Sequence, residues 1–155
     1  MYACARLGLF YPGMCSSLAR EAIGKAGIFN AQDVSNTLWA WAKLLPGTRE
    51  LPEHEQLCSR LAREAISKAG RLTAQEFSNT LWAWATLQLG TEKMPQHAQL
   101  LQTPSEKAAQ RIGGFNPQEL ANTAWACSKL RHYDGPLLAA IAARAVALPS
   151  GSFNE

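Results

Sequence analysis

SNTLWAWA occupies Ser35–Ala42 and returns letter for letter at Ser78–Ala85, and a third version, ANTAWACS, fills Ala121–Ser128. Asn36, Asn79 and Asn122 stand 43 residues apart, as do Trp39, Trp82 and Trp125. Laying Cys15–Leu45 on Cys58–Gln88 gives 22 identities in 31 positions without a gap. The third copy, EKAAQRIGGFNPQELANTAWACSKL, keeps the frame and diverges more. Self-similarity at a fixed period of about 20–50 residues marks units that cannot bury their apolar surface alone and must stack on their neighbours. The chain therefore reads as a solenoid or array.

Each unit holds two helices, here termed A and B, and the caps show where helix B begins. Asn30-Ala31-Gln32-Asp33, Thr73-Ala74-Gln75-Glu76 and Asn116-Pro117-Gln118-Glu119 have the form of a capping box, in which a side chain at each end satisfies a backbone N–H at the other. Pro117 falls at the first helical position, where its missing N–H costs nothing. Phe29 and Val34, Leu72 and Phe77, and Phe115 and Leu120 have the spacing of a hydrophobic staple across each cap. Gly27, Gly70 and Gly113 sit where a left-handed residue would close the preceding helix A. The fold class expected is all-α: an α-solenoid of stacked helix-turn-helix repeats with a period of 43 residues.

At about 100° per residue, helix B of the first copy puts Val34, Leu38, Trp41 and Leu45 on one stripe. Trp39 lies away from that stripe, beside Gln32, Asn36 and Lys43. A helix with large apolar groups on two sides is usually wedged between partners, so the tryptophans are expected to form the core between repeats. The alternative is that the first Trp of each pair stacks on nucleic-acid bases. Asn36, Asn79 and Asn122 are expected to bond helix ends or loops between repeats. Helix A has an apolar arc, Leu18, Ala19, Ala22, Ile23 and Ala26, opposite a polar one in which basic residues outnumber acids. Stacking would align Arg20, Lys25, Arg60, Arg63, Lys68, Lys107 and Arg111 as candidate phosphate contacts. Ser17, Gly24, Ser67, Thr103 and Gln110 lie at arc positions that differ between copies, which suits the reading of bases. Pro104 falls inside the third helix A and should kink or break it.

Composition narrows the function classes. A net charge of +3 permits an anionic partner without demanding one. No apolar run approaches the roughly 18 residues of a membrane span, and the opening MYACARLGLFYPG shows no signal or transit peptide pattern. Cys15 and Cys58 share one repeat position, and Cys4 and Cys127 align with Trp41, so repeat register accounts for them as small core residues. There is no C-x-x-C, and His54 and His97 are 43 residues apart. Helices packed about 10 Å apart hold such groups too far from one another for zinc bonds of about 2 Å. No catalytic triad, phosphate-cradling Gly loop or paired buried carboxylate is recognisable. The expectation is no enzyme activity, no cofactor and no metal.

The phrases FNPQELANTAWACSKL, FNAQDVSNTLWAWAKL and LTAQEFSNTLWAWATL resemble the octotricopeptide-repeat proteins of algal and protist organelles. They are also similar to the helical repeats of the FAST-kinase-like and RAP-domain organellar RNA proteins. The carried signature is fullest at Phe115–Ala126. The resemblance implies an α-solenoid that binds single-stranded RNA of a mitochondrial matrix or chloroplast stroma. Its implied role is in RNA processing (rRNA included), mRNA stability or translation, with protein partners but no membrane partner. In that family the repeat is nearer 38 residues, whereas two intervals here are 43, with extra linker at Pro46–Glu53 and Gly90–Gln96. An α-solenoid serving as a protein-interaction scaffold is the alternative function.

The frame divides the chain into a partial helix B at 1–8, repeats at 9–45, 46–88 and 89–131, and a partial fourth repeat at 132–155. Met1–Leu7 aligns with Leu38–Leu44, and the closing GSFNE aligns with GGFNPQE. On that alignment the chain is expected to be a piece of a longer array.

Overall fold

Three helices start from the same local chemistry. Asn30 Oδ1 accepts from the Asp33 N–H at 2.8 Å while the Asn30 N–H donates to Asp33 Oδ2 at 3.0 Å. Thr73 with Glu76 and Asn116 with Glu119 repeat the exchange at 2.8–3.3 Å. Each box satisfies two backbone groups that a helix start would otherwise leave open.

The computed structural model describes residues 1–87, 106, 108–149 and 151–152. Every regular element among them is helical: α1 (Tyr2–Leu7), α2 (Pro12–Lys25), α3 (Ala31–Lys43), α4 (His54–Lys68), α5 (Ala74–Leu87), α6 (Pro117–Lys129) and α7 (Gly135–Ala147), with residues 108–111 helical as well. Pro104, Thr103, Lys107 and His97 lie outside the described residues. No helix among the described residues is long and apolar enough to cross a membrane.

α1, α3, α5 and α6 pack one on the next in a row, and α2 packs on α4 beside it. Ala40, Ala83 and Ala126, one on each of α3, α5 and α6, are fully buried, and their small side chains let these helices approach closely. Trp41 and Trp84 are also fully buried, in one cluster with Leu38, Leu57 and Leu61. Farther along, Phe77 meets Phe115 edge to face at 6.2 Å, and Leu120, Leu137 and Ile141 continue the core. Ser35 Oγ donates to the Glu76 carbonyl at 3.0 Å, tying α3 to the start of α5.

The glycines before each cap do not take the left-handed conformation expected of them. Ala26–Ile28, Ala69–Arg71 and Ile112–Gly114 form 3-10 turns, and Gly8 and Gly151 are the glycines with positive φ among the described residues. Helix A tightens from α to 3-10 geometry, and the chain then turns extended at Phe29, Leu72 and Phe115. Tightening the last turn satisfies end carbonyls without a left-handed residue. At Gly27 the requirement is space, because an added Cβ would lie 3.2 Å from Arg60 Nη2; nothing in the structure explains Gly113.

The linker after α3 is held by a buried polar network. Trp41 Nε1–H donates to His54 Nδ1 at 3.1 Å, and Thr48 Oγ1 donates to the Trp41 carbonyl at 3.0 Å. The Thr48 carbonyl also lies 3.1 Å from His54 Nδ1, but a neutral ring nitrogen can accept or donate, not both. The indole N–H can only donate, and the Thr48 carbonyl already accepts from the Leu51 N–H at 3.3 Å. His54 therefore carries its proton on Nε2, facing Cys58 Sγ at 3.9 Å. Gly47 closes the same linker against Phe10, where an added Cβ would stand 2.5 Å from the ring.

Two measurements check this account. Gly47→Ala is expected to lower the unfolding free energy by about 1–3 kcal/mol in urea titrations. Gly24→Ala, where nothing lies within 4 Å of the added carbon, is expected to raise it by up to about 1 kcal/mol. Burial pulls the His54 pKa below its ordinary 6.5, with nearby Arg49 adding to the shift against Glu55 and the Thr48 carbonyl. His132 is lowered by burial as well, against Asp134. Well above pH 6.5 both histidines are neutral in the folded and unfolded chain, so their contribution is fully present. As pH falls through that value the unfolded chain protonates first, and stability is lost until the folded values are reached. The melting temperature should drop as pH falls through about 6.5, and His54→Gln should flatten the dependence.

Candidate functional site

On α3, α5 and α6 the residues i, i+4, i+7 and i+11 from the first Gln lie on one stripe. The stripe reads Gln32, Asn36, Trp39, Lys43 on α3, then Gln75, Asn79, Trp82, Thr86, then Gln118, Asn122, Trp125, Lys129. Tyr2 and Arg6 of α1 align with Trp39 and Lys43. No carboxylate occupies any of these positions. The nearest acids, Asp33, Glu76 and Glu119, are engaged in the capping boxes.

The tertiary packing joins the stripes into one track. Tyr2 lies against Trp39 at 5.2 Å between ring centroids. Lys43 Nζ stands 5.6 Å from the ring of Trp39 on its own helix and 5.6 Å from that of Trp82 on the next. Trp82 stacks on Trp125 at 6.5 Å with the planes 27° apart, and Lys129 Nζ lies 5.8 Å from Trp125. Cations at such distances are held by the negative face of the indole. Between α1, α3 and α5 the track opens into a groove of about 670 Å³, whose lining includes Arg6, Trp39, Lys43, Gln75 and Asn79. The chemistry on offer is an aromatic face on each helix, carboxamide donors and acceptors on α3, α5 and α6, and cations on α1, α3 and α6.

The tryptophans take unequal shares of the core expected between repeats, with Trp39 and Trp82 packed against its edge. Trp41 and Trp84 lie within it at 0% exposure, whereas Trp125 is 41% exposed, and Trp39 and Trp82 are half-buried. The second Trp of each pair points into the A–B packing and the first lies along the outer edge of the helix row. The asparagines differ from expectation. Asn122 Oδ1 accepts from Gln118 Nε2 at 2.9 Å, one turn back on the same helix. Asn36 and Asn79 are half-buried and make no side-chain hydrogen bond to another described residue. The missed signal was present in the sequence as an acid-free stripe kept in all three copies; the bridging of two helices by Lys43 had none.

The helix A candidates are distributed differently. Arg20 pairs with Glu53 at 3.2 Å, Lys25 with Glu21 at 2.7 Å, and Arg60 with Glu64 at 3.6 Å. Lys68 also pairs with Glu64, and Arg111 donates to the Leu72 carbonyl at 3.3 Å. Arg63 is exposed and makes none of these pairings. Ser17 Oγ accepts from Arg20, and Ser67 Oγ donates to the Glu64 carbonyl at 2.9 Å. Gly24 and Gln110 are exposed. The Glu53 carboxyl is held below the usual range, chiefly by the Ser16 hydroxyl bonded to it and in lesser part by Arg20. This surface is thus a mosaic of both charge signs, with most cations facing a carboxylate.

Cys15, Cys58 and Cys127 are buried and Cys4 is half-buried. Burial, with Glu55 nearby, pushes the Cys58 thiol up to about 12; burial, with Asp134, pushes Cys127 to about 11. Both stay protonated at neutral pH and pack as small apolar groups. No group of three or more potential metal ligands occurs among the described residues. A thiol-disulfide exchange reagent at about pH 8 should therefore modify Cys4 rapidly in the native chain and the other three cysteines only after unfolding.

Compared with protein-family models and with curated proteins, the chain matches none.

Proposed function

We propose that the chain forms an α-solenoid of helix-turn-helix repeats that binds single-stranded RNA. The period of 43 residues, the row of B helices and the neighbouring α2–α4 pair support the solenoid reading. The observation that carries the binding reading is the acid-free track of Tyr2, Trp39, Trp82 and Trp125 interleaved with Lys43 and Lys129. Proteins that hold single strands combine a positive groove along the backbone with aromatic platforms on which bases stack. The carboxamides beside each indole add groups able to read base edges. By resemblance to the organellar repeat proteins, the RNA is a mitochondrial or chloroplast transcript, and the role is in its processing, stability or translation.

The helix A cations have a secondary part in this reading. Exposed ion pairs contribute little to stability, so Lys25, paired with Glu21 in solvent, can exchange a carboxylate for a phosphate, whereas Arg60 and Lys68 share the part-buried Glu64. Their surface, however, repels phosphates at each glutamate, whereas the track does not.

Binding of a degenerate single-stranded RNA pool to the full chain, measured at two salt concentrations, tests the proposal. Affinity should fall with salt by about 0.7 logarithmic units per phosphate contact per tenfold change. Lys43→Gln/Lys129→Gln should weaken binding and flatten the slope more than Arg63→Gln/Lys68→Gln does. Salt-independent binding, or none by a well-folded chain, would count against RNA and leave the protein-scaffold function in its place.

A further inference from the structure

We infer that the two ends of the helix row fit each other, so that the chain associates head to tail with a second copy of itself. This pairing follows from the packing of α1, α3, α5 and α6 and needs no RNA. Inside the row each B helix turns one face to the helix before it and another to the helix after it. Ser35 of α3 bonds the Glu76 carbonyl of α5, which marks the forward face. Ser35 and Ala42 on α3 are buried there, as are Ser78 and Ala85 on α5. The same register positions on α6 are Ala121 and Ser128. Both are exposed, with the exposed Trp125 between them.

The other end shows the converse. Ala40 and Leu44 on α3 are buried, and so are Ala83 and Leu87 on α5. Their equivalents on α1, Ala3 and Leu7, are exposed. Leu7 is 72% exposed, against 4% for Leu44 and 3% for Leu87. As α1 is the first helix of the row, this open side is the backward face. It continues onto α2, where Tyr11 and Met14 are exposed while the same positions on α4, His54 and Leu57, are buried. End units of stacked repeats ordinarily turn a polar surface to water, and Leu7, Tyr11, Met14 and Trp125 depart from that.

Each open face is therefore the counterpart of one that the row already covers. The forward face of α3 receives the backward face of α5, and the forward face left open on α6 matches the backward face left open on α1. Ala3 on one side and Ala121 with Ser128 on the other are small enough for the close approach that Ala40 and Ala83 permit within the row. Unlike faces make a heterologous contact, and repeating it lengthens the row without closing it. A two-fold dimer would instead set Leu7 against Leu7 and leave α6 uncovered.

The test is sedimentation equilibrium of the full chain without RNA over a series of concentrations, with far-UV circular dichroism to check the fold of each variant. The mean mass should rise with concentration through two and then three copies. Leu7→Glu and Ala121→Glu, both at exposed positions, should keep the helical fold and each weaken association about a hundredfold, because contact would bury an unpaired carboxylate. Ser128→Glu, on the same face, serves where Ala121→Glu does not fold. Mixed in equal amounts, the two variants should form a species of two copies and no larger, since one keeps an intact α6 face and the other an intact α1 face. A folded chain that stays monomeric at every concentration overturns the inference and leaves both faces to another partner. Association weakened by only one of the variants, which marks a like-to-like dimer, or a mixture that stays monomeric, overturns it as well.

Discussion

Close approach of neighbouring B helices is the constraint on which the rest depends. It requires a small residue where the backbones meet, and Ala40, Ala83 and Ala126 supply one on each helix at 0% exposure. With the helices drawn together, the second Trp of the repeated phrase is directed inward, and Trp41 and Trp84 become the largest fully buried side chains. The first Trp, two residues earlier, is rotated about 200° around the axis and emerges at the edge of the row. One phrase thus builds both the core and the aromatic track, because a helix that is packed on most sides has only a narrow strip left to present.

The narrowness of that strip explains its chemistry. Residues near a helix start are drawn toward acids by the helix dipole, and each B helix does carry one, but the capping box turns Asp33, Glu76 and Glu119 onto backbone N–H groups. What remains outward is uncharged amide, indole and Lys. Lys43 then bridges α3 and α5 by facing two indoles at 5.6 Å, so the cation is placed by the same rings that would stack a base. The A helices have no comparable filter: they alternate Arg or Lys with Glu, and i, i+4 pairing follows from that order.

The linker between repeats shows how the extra residues of a 43-residue unit are accommodated. A buried loop must satisfy its polar groups internally. Thr48, His54 and the Trp41 indole and carbonyl do so among themselves, which couples the core tryptophan to the start of the following helix A. Satisfaction is incomplete at Glu53, whose Oε2 is buried without a partner while Oε1 accepts from Ser16 and Arg20.

Local features were legible from the sequence alone because they depend on residues a few positions apart. The capping boxes at Asn30, Thr73 and Asn116, the helical class, the buried stripe through Val34, Leu38 and Trp41, and the kinship of the three copies all belong to this kind. So does the grouping of Gln32, Asn36, Trp39 and Lys43 on one face. Periodicity could not say how far a neighbour covers that face: Trp39 and Trp82 are half-buried against the core, whereas Trp125 is 41% exposed. It also could not foresee that Gly27 and Gly113 would end their helices through 3-10 turns rather than left-handed ones, since both endings suit a glycine. Those outcomes, together with the pairing of the helix A cations across to Glu53 and the Leu72 carbonyl, depend on which helix lies beside which, and at what distance. Such contacts join residues tens of positions apart, and they exist only once the close-packed row has formed.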